Sequence, residues 1–348
     1  MKIIYDDIIY SLQQSGGISV YWNNLEDYIP VDKRIVYDGA DKNIFYKQRE
    51  NSAMSNASVL FSRYRNVKIS EDEPFVFHSS YYRFCKNQFA INVTTVHDFT
   101  YELFRKDWRA SVHKMQKRNA VMHSAGVICI SENTKQDLLK YYPDYSGKIK
   151  VIYHGYDSNI FKNLNSLCRT KDVLFVGSRV SYKNFILTVE LLSHFDDLQL
   201  VIIGGGELLT KELEILNKML PNRYKKLDYV SNNELARLYN NSFALAYPSD
   251  YEGFGFPVLE AQACGCPVIC QPLSSIPEVS GDSCIYVNKD DIVVSKDSIN
   301  RLFDRNYYKT IQAAGLENVK RFSWNKAVEE TLSFYQEVYS RKDEAVIV

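Results

Sequence analysis

The 348-residue chain carries no net charge, because 42 Lys and Arg balance 42 Asp and Glu. Without a broad basic field, duplex DNA or RNA is a poor partner, and no nucleic acid is expected. The seven cysteines are odd in number, and no Cys-x-x-Cys pair occurs. Cys264 and Cys266 are separated by one residue, while Cys129 and Cys270 sit in the apolar runs GVICIS and PVICQ. This pattern argues against a disulfide framework or a zinc site and fits a reducing cytoplasm. No apolar run approaches the roughly 18 residues of a membrane span. The opening MKIIYDD breaks at Asp6, too early for a secretory leader. There is also no internal repeat, low-complexity tract or heptad run.

What is present is an ordinary soluble composition, 45% hydrophobic and 24% charged. At roughly 100–200 residues per domain, the length predicts two domains. Charge is uneven: residues 1–165 hold 22 Lys+Arg against 18 Asp+Glu, and the remainder 20 against 24. The front half is thus the better place for a partner rich in phosphate or anionic lipid.

Short apolar runs alternate with helical stretches, which predicts an α/β fold with parallel sheets. Strands are predicted over 2–5, 34–37, 75–77, 91–96, 126–130 and 150–153, then 172–176, 198–203, 226–229, 244–247, 267–270 and 284–287. Helices are predicted over 18–28, 108–124, 134–141, 184–195, 211–220, 232–240, 257–264 and 324–339. Ser131 before ENTKQDLLKYY, and Ser231 three residues before Glu234, are helix-start signals. The polar stretch 157–171 has no clean periodicity and marks a boundary, giving domains 1–165 and 166–323 and a last helical segment 324–348. Parallel-sheet domains of this kind bind ligands in the crevice beside the carboxyl ends of their strands.

The segment 249–260 reads SDYEGFGFPVLE and places two carboxylates, Glu252 and Glu260, eight positions apart. Gly253 and Gly255 let the loop bend tightly beside a ligand. Pro257 suits the first turn of a helix that runs to Gly265. Glu252 is therefore expected on the loop after strand 244–247, and Glu260 on the first helical turn. The helix N-terminus would offer free N–H groups to a diphosphate, and a carboxylate suits paired sugar hydroxyls. Two Glu around a Gly-rich turn are commonplace in themselves, and the ordinary alternative is a solvated loop.

The wider run PSDYEGFGFPVLEAQACGCPVI resembles the signature of glycosyltransferase family 4, retaining enzymes of the GT-B architecture. Similar wording extends over nearly the whole chain, in SGGISVYWNNL, TVHDF, ICISENTKQDLL, VIYHGYD and VLFVGSRVSYKN. The first half resembles the mannosyltransferases of O-antigen and capsule assembly. The resemblance implies two Rossmann-like domains whose parallel sheets face a central cleft. The first would bind the acceptor and the second the nucleotide sugar, with the last helix returning to the first domain.

By the same resemblance, Gly16 and Gly17 touch the donor through their backbone, although paired glycines before a helix are usually a turn. Arg179 and Lys183 hold the donor diphosphate; otherwise they are two solvated cations. Glu252 contacts the transferred sugar and Glu260 the ribose diol, with Gly253, Phe254 and Gly255 between them. Tyr229 and Val230 flank the base. His97 lies at the reacting centre, although a lone strand-end His is more often structural, and His78 and Asp98 face the acceptor. Gly204–Gly206 match a dinucleotide fingerprint only weakly and read as a strand-end turn. No D-x-D occurs, so neither metal nor cofactor is expected, and a GDP- or UDP-linked sugar is the substrate.

Residues 104–124 combine Trp108, Val112, Met115 and Met122 at helical spacing with Arg105, Lys106, Arg109, Lys114, Lys117 and Arg118. Such a helix either meets an anionic membrane surface or turns its apolar stripe to the core. An acceptor on an undecaprenyl-type lipid would explain peripheral attachment at the inner membrane face. Altogether the chain reads as a retaining, metal-independent hexosyltransferase, with mannose as the expected sugar and a lipid-linked saccharide as acceptor. A same-fold nucleotide-sugar epimerase and a non-catalytic nucleotide-sugar-binding subunit are the rivals.

Overall fold

The computed structural model describes residues 1–346 apart from 56 and 166–168, with side chains to 340. Cys168 and the middle of the predicted boundary stretch lie outside the described residues. The chain divides into two compact units, Met1–Gly155 with Ser323–Val348, and Tyr156–Phe322.

The first unit holds seven parallel strands: β1 (Lys2–Asp6), β2 (Lys33–Val36), β3 (Ser52–Met54), β4 (Phe75–Ser79), β5 (Ala90–Val96), β6 (Gly126–Cys129) and β7 (Lys148–Val151). They lie in the order β3-β2-β1-β4-β5-β6-β7. Central strands such as FVFHS are buried along their whole length, as parallel strands covered on both faces must be. Ile4 stands opposite Phe77 in the β1–β4 register, and both join Phe75, Val67, Ile69 and Cys85 in one core cluster. The strand not predicted is β3, a three-residue edge with little burial to give it a pattern.

The last helix, Trp324–Val346, packs on the helix Gly17–Tyr28 and on β4 and β5. Its Tyr335 hydroxyl lies 3.0 Å from the Tyr5 hydroxyl and 2.6 Å from His78 Nδ1. A Cβ on Gly126 would sit 2.6 Å from the Phe334 ring, so a bare backbone at the start of β6 lets this helix approach.

The second unit holds six parallel strands: β8 (Asp172–Val176), β9 (Gln199–Ile203), β10 (Tyr224–Leu227), β11 (Ala244–Tyr247), β12 (Val268–Cys270) and β13 (Cys284–Tyr286). Their order is β10-β9-β8-β11-β12-β13. Val173, Phe175, Leu200, Ile202, Ala246 and Ile269 form the sheet side of its core, and Phe185, Val189 and Leu192 the helix side. Both predicted serine caps form: Ser131 Oγ accepts from Thr134 N at 3.0 Å, and Ser231 Oγ from Glu234 N at 3.2 Å. The helices Ile292–Asn300 and Arg305–Asn318 were not predicted, since runs such as RNYYKTIQAAGLEN carry few apolar residues.

The divide between units falls at 155/156 rather than 165/166. Phe161 already packs on Tyr239 (6.2 Å between rings), and Leu164 N donates to Asn240 Oδ1 at 2.7 Å, so 161–164 belong to the second unit. Polarity marked the middle of the connection and not its start.

The helix Trp108–Met122 buries Ala110, Gln116, Lys117, Ala120 and Val121. Trp108 (72% exposed) and Met115 (58%) point outward, so the predicted apolar stripe is not its core face. Lys117, counted among surface cations, is fully buried: its Nζ donates to Glu102 Oε2 at 2.7 Å and to the Asp98 carbonyl at 2.8 Å, 4.5 Å from the Phe99 ring centre. No helix among the described residues is long and apolar enough to cross a membrane.

His78, expected to face an acceptor, is instead a core residue with no exposed surface. Its Nδ1 meets Tyr335, its Nε2 lies 3.0 Å from Thr95 Oγ1, and the Trp22 ring stands edge-on at 4.9 Å. Burial, with repulsion from His97, lowers its pKa to about 3. A folded-state pKa below the unfolded value near 6.5 contributes stability above that value and loses it as pH falls. The stability advantage of the wild type over His78→Gln should therefore shrink by about 1.4 kcal/mol per pH unit below 6. Urea unfolding of both proteins at pH 7.5 and 5 measures this, and an unchanged gap contradicts the burial of a neutral ring.

Candidate active site

The order of the second sheet reverses between β8 and β11, so their following loops part and leave a crevice at the strand ends. From β8 the chain passes Gly177 and Arg179 into a tight turn at Ser181–Lys183, then the helix Phe185–Ser193. From β11 it passes Ser249, Glu252 and Gly255 into the helix Phe256–Ala263.

Two predicted residues meet across this switch. Lys183 Nζ lies 3.0 Å from Glu252 Oε1, and their side chains are 16% and 14% exposed. The same ammonium is 3.4 Å from the Tyr247 hydroxyl, and Ser249 Oγ donates to Glu252 Oε1 at 2.8 Å. Ser274 fixes the Glu252 backbone, accepting its N–H at 3.1 Å and donating to its carbonyl at 2.6 Å. Ser275 Oγ lies 2.9 Å from the Glu252 carbonyl and 3.0 Å from that of Phe254.

A knot that the sequence reading passed over ties the two loops together. Asn184 Nδ2 (2.8 Å), Lys289 Nζ (2.9 Å) and Gln271 Nε2 (3.0 Å) all donate to Asp250 Oδ1. Asn184 and Gln271 also donate to the Pro248 carbonyl, at 2.9 and 2.6 Å. Burial would raise the Asp250 pKa, but the hydrogen bonds from Lys289, Asn184 and Gln271 outweigh it and hold the carboxyl below its usual value. Asn184 takes left-handed φ (+51°), which Asn tolerates better than most side chains. Position beside Lys183 and Glu252 was the available signal for this pair.

The Arg179 guanidinium has other partners than the Lys183 ammonium. Its Nε donates to Glu212 Oε1 at 3.0 Å and lies 3.1 Å from Oε2. Its Nη atoms donate to the carbonyls of Gly204 (3.1 Å), Gly206 (3.2 Å) and Glu207 (2.6 Å). The guanidinium thus clamps the turn after β9, with the side chain 4% exposed. Gly205 has φ of +76°, and a Cβ there would lie 2.7 Å from Arg179 Nη1 and 2.6 Å from the Gly177 carbonyl, so this turn requires glycine.

Gly255 caps the next helix in left-handed geometry, and Pro257 occupies its first turn. Glu260 stands on the second turn, not the first as expected, because the helix begins at Phe256. The residue is partly exposed, but its carboxyl is enclosed, and burial raises its pKa to about 7 against a lowering contribution from Tyr239. The Tyr239 hydroxyl donates to Oε2 at 3.5 Å. Phe254 is buried and Gly253 half-buried beside Glu252. Tyr229 follows β10 and is 75% exposed, with Val230 half-buried next to it.

In the first unit the order reverses between β1 and β4. Gly16 precedes, and Gly17 begins, the helix Gly17–Tyr28. At the carboxyl end of β1, Trp22 Nε1 donates to Asp7 at 2.9 Å, and burial followed by repulsion from Glu26 holds the Asp7 pKa far above its usual value. His97 is half-buried, its ring 5.2 Å from Tyr21 and 6.1 Å from His154. Burial lowers its pKa to about 4, Lys117 adding to that and Asp98 opposing it. Asp98 Oδ1 accepts from Thr100 N at 2.9 Å, a local cap, and the residue stays partly exposed. His154, read only as part of a family run, is buried against Tyr21 (4.8 Å) and Trp324 (5.5 Å).

Two parallel-sheet units, one with charged side chains meeting at its switch point, define a GT-B protein. Residues 156–306 match the profile of glycosyl transferases group 1, and residues 58–159 that of glycosyltransferase family 4. The chain belongs to the family 4 type of glycosyltransferases. It is 38% identical over 111 residues to O-antigen chain mannosyltransferase B of Escherichia coli, covering 32% of this chain and 29% of that protein. It is 31% identical over 203 residues to O-antigen chain mannosyltransferase RfbU of Salmonella typhimurium, covering 57% and 56%. Each match therefore spans less than two thirds of the relative's length. Sucrose-phosphate synthase from Thermosynechococcus elongatus superposes with a TM-score of 0.76 at 17% identity, over 98% of this chain and 100% of that one, which shows the shared fold.

Removing Arg179 frees three carbonyls and leaves Glu212 charged and nearly buried. Arg179→Met should destabilise the second unit by about 3–5 kcal/mol. Arg179→Lys should recover little of it, because a single ammonium cannot fork over the turn. Thermal unfolding with amide exchange at 204–207 tests this; a Lys variant as stable as wild type would show the fork to be dispensable.

Proposed function

We propose that the chain is a retaining glycosyltransferase that moves mannose from GDP-mannose to a lipid-linked saccharide acceptor in bacterial surface-polysaccharide synthesis. The observation that carries this reading is the Lys183–Glu252 pair at the β8/β11 switch. An incoming diphosphate would compete with Glu252 for the ammonium, and Glu252, released, would accept hydrogen bonds from sugar hydroxyls. The N-terminus of the helix Phe256–Ala263 adds favourable N–H dipoles for an anion. Glu260 as a carboxylate suits the ribose diol, and Tyr229 and Val230 suit the base. Gly16 and Gly17 suit the donor phosphates through their N–H groups. The choice of mannose rests on the two O-antigen relatives.

The reaction is read as same-face displacement through an oxocarbenium-like transition state. The sugar–phosphate bond breaks, the acceptor oxygen bonds to the anomeric carbon, and the acceptor's proton passes to the leaving phosphate. Lys183 stabilises the charge that grows on that phosphate, so neither a metal nor a cofactor is invoked. Arg179 enters this reading only by shaping the turn after β9. His97 and Asp98 are assigned to the hydroxyls of sugar and acceptor. With its pKa lowered to about 4, the His97 imidazole is neutral at pH 7 and can both donate and accept. The outward Trp108 and its basic neighbours support peripheral attachment at the inner face of a membrane.

A thermal-shift panel of GDP, UDP and their sugars should single out GDP and GDP-mannose. Transfer from that donor should need acceptor, persist with chelator and fall about a hundredfold or more in Lys183→Ala. Unchanged turnover in that variant would remove Lys183 from the reaction. Turnover of donor alone would point to an epimerase, and binding without turnover to a partner subunit.

Glu260 gives a pH signature. Its raised pKa keeps it largely protonated below 7, and the diol prefers the carboxylate. Donor affinity should therefore rise roughly tenfold from pH 6 to 8 and level off above it. The Glu260→Gln variant should bind weakly with a flat profile. Equal pH dependence in both proteins would assign the titration to another group.

A further inference from the structure

The first unit carries a cavity of 430 Å³ between the segment around Arg63 and the helices Thr100–Phe104 and Trp108–Met122. Arg63, Arg105 and Arg109 line it, with aromatic walls from Tyr101 and Trp108, and no Asp or Glu is among its lining residues. Arg63 donates to the Tyr81 hydroxyl at 3.1 Å, Arg105 lies 3.3 Å from Asp107 outside the cavity, and Arg109 has no ion pair among the described residues.

A second observation is independent of charge. Among the described residues, few buried polar side-chain atoms lack a hydrogen-bond partner, and three of them belong to this lining: Arg63 Nε, His113 Nδ1 and Gln116 Oε1. Gln116 is only 9% exposed, and its Nε2 is used on the Arg63 carbonyl at 2.5 Å. Buried polar groups are normally hydrogen-bonded, so the grouping of these three around one cavity calls for a cause. The ring of His113 is stacked on Tyr101 at 3.8 Å, and burial together with Lys117 and Arg63 lowers its pKa to about 4. It can therefore donate to an anion or accept from a hydroxyl without adding charge.

We propose that this cavity is an anion site on the first unit that takes a phosphoryl or diphosphoryl group joined to an organic substituent. Guanidinium forks match phosphate oxygens in a way that a lone ammonium does not. The cavity is far larger than one phosphate and lies within the range of small-molecule pockets, about 300–1,000 Å³. Gln116 Oε1 is an acceptor and cannot be satisfied by phosphate oxygens, which points to a hydroxyl on the substituent. The group belongs either to a prenyl-type lipid carrier or to a free phosphorylated molecule. The proposal does not depend on which sugar the second unit holds.

Trp108 reports on this cavity, because the other two tryptophans, Trp22 and Trp324, are buried elsewhere in the unit. Full-length protein is titrated with inorganic pyrophosphate and, separately, with farnesyl diphosphate, following tryptophan emission. A saturable change is expected that persists in Lys183→Ala and is absent from Trp108→Phe. It should weaken about tenfold or more in Arg109→Gln and Arg63→Gln, the loss of one charge-assisted bond. Arg109 is exposed, so its variant keeps the test open even if Arg63→Gln folds poorly. Tighter binding of the farnesyl compound assigns the lipid source, and equal binding the free phosphorylated one. No saturable response to either, or a response unchanged in both arginine variants, overturns the proposal. A response only to phosphatidylglycerol vesicles also overturns it, leaving a membrane-facing patch in place of a pocket.

Discussion

Parallel strands cannot be joined by a two-residue hairpin; each pair needs a crossover of a dozen or more residues, usually a helix. Most of this molecule follows from that constraint. Both sheets are wholly parallel, so every strand releases its chain at the same edge. Where the order reverses, between β1 and β4 and between β8 and β11, successive crossovers go to opposite faces and nothing fills the gap between their loops. Lys183 leaves one side of the second gap and Glu252 the other. The hydrogen bonds on Asp250 hold the two loops in register, so the charged pair is placed by backbone and amide chemistry and not by its own attraction.

That distinction bears on what the pair is for. Taking two charges most of the way out of water costs roughly what their attraction returns, so an ion pair of this kind is a weak stabiliser. The Arg179–Glu212 contact is different, since the same guanidinium also satisfies three carbonyls of the turn after β9. One cation meets a carboxylate and three backbone carbonyls, and the other a carboxylate and a tyrosine hydroxyl. In the first unit Lys117 is locked inside by Glu102, whereas Arg109 has no ion partner among the described residues and lines a cavity.

The sequence made the sheets legible because parallel strands covered on both faces must be apolar along their length, and twelve such runs stood out. β3 escaped because an edge of three residues, mostly exposed, has no burial to record. The helix Arg305–Asn318 escaped because it buries little beyond Ile311 and Gly315. In the site, Lys183 and Glu252 were readable as a family pattern, but their contact was not, since it depends on two loops 69 positions apart meeting at one sheet edge. Residue type alone also left burial unread at three places. His78 looked like a strand-end functional group and is a core ring with both nitrogens engaged. Arg179 looked like an anion holder, and here its guanidinium lies on Glu212 and the carbonyls of a turn. Lys117 looked like a surface cation and lies wholly inside. Each is polar and buried, and burial of a polar group is set by partners from distant chain segments that no local pattern reveals.

The first unit is built from two stretches of chain, with the whole second unit threaded between Gly155 and Ser323. The seam is tight: a Cβ on Gly155 would lie 2.2 Å from the Trp324 backbone nitrogen. The hydroxyl that meets both Tyr5 and His78 comes from Tyr335, which follows the second unit in the chain. On the ribosome, where domains generally fold from the N-terminus onward, this protein inverts the order. The sheet β1 to β7 must wait, with the places for Phe334 and Tyr335 open, while the 167 residues of the second unit are made and collapse into their own core. Strands β1 to β7 are thus held unfinished until the helix that follows the second unit emerges to close them.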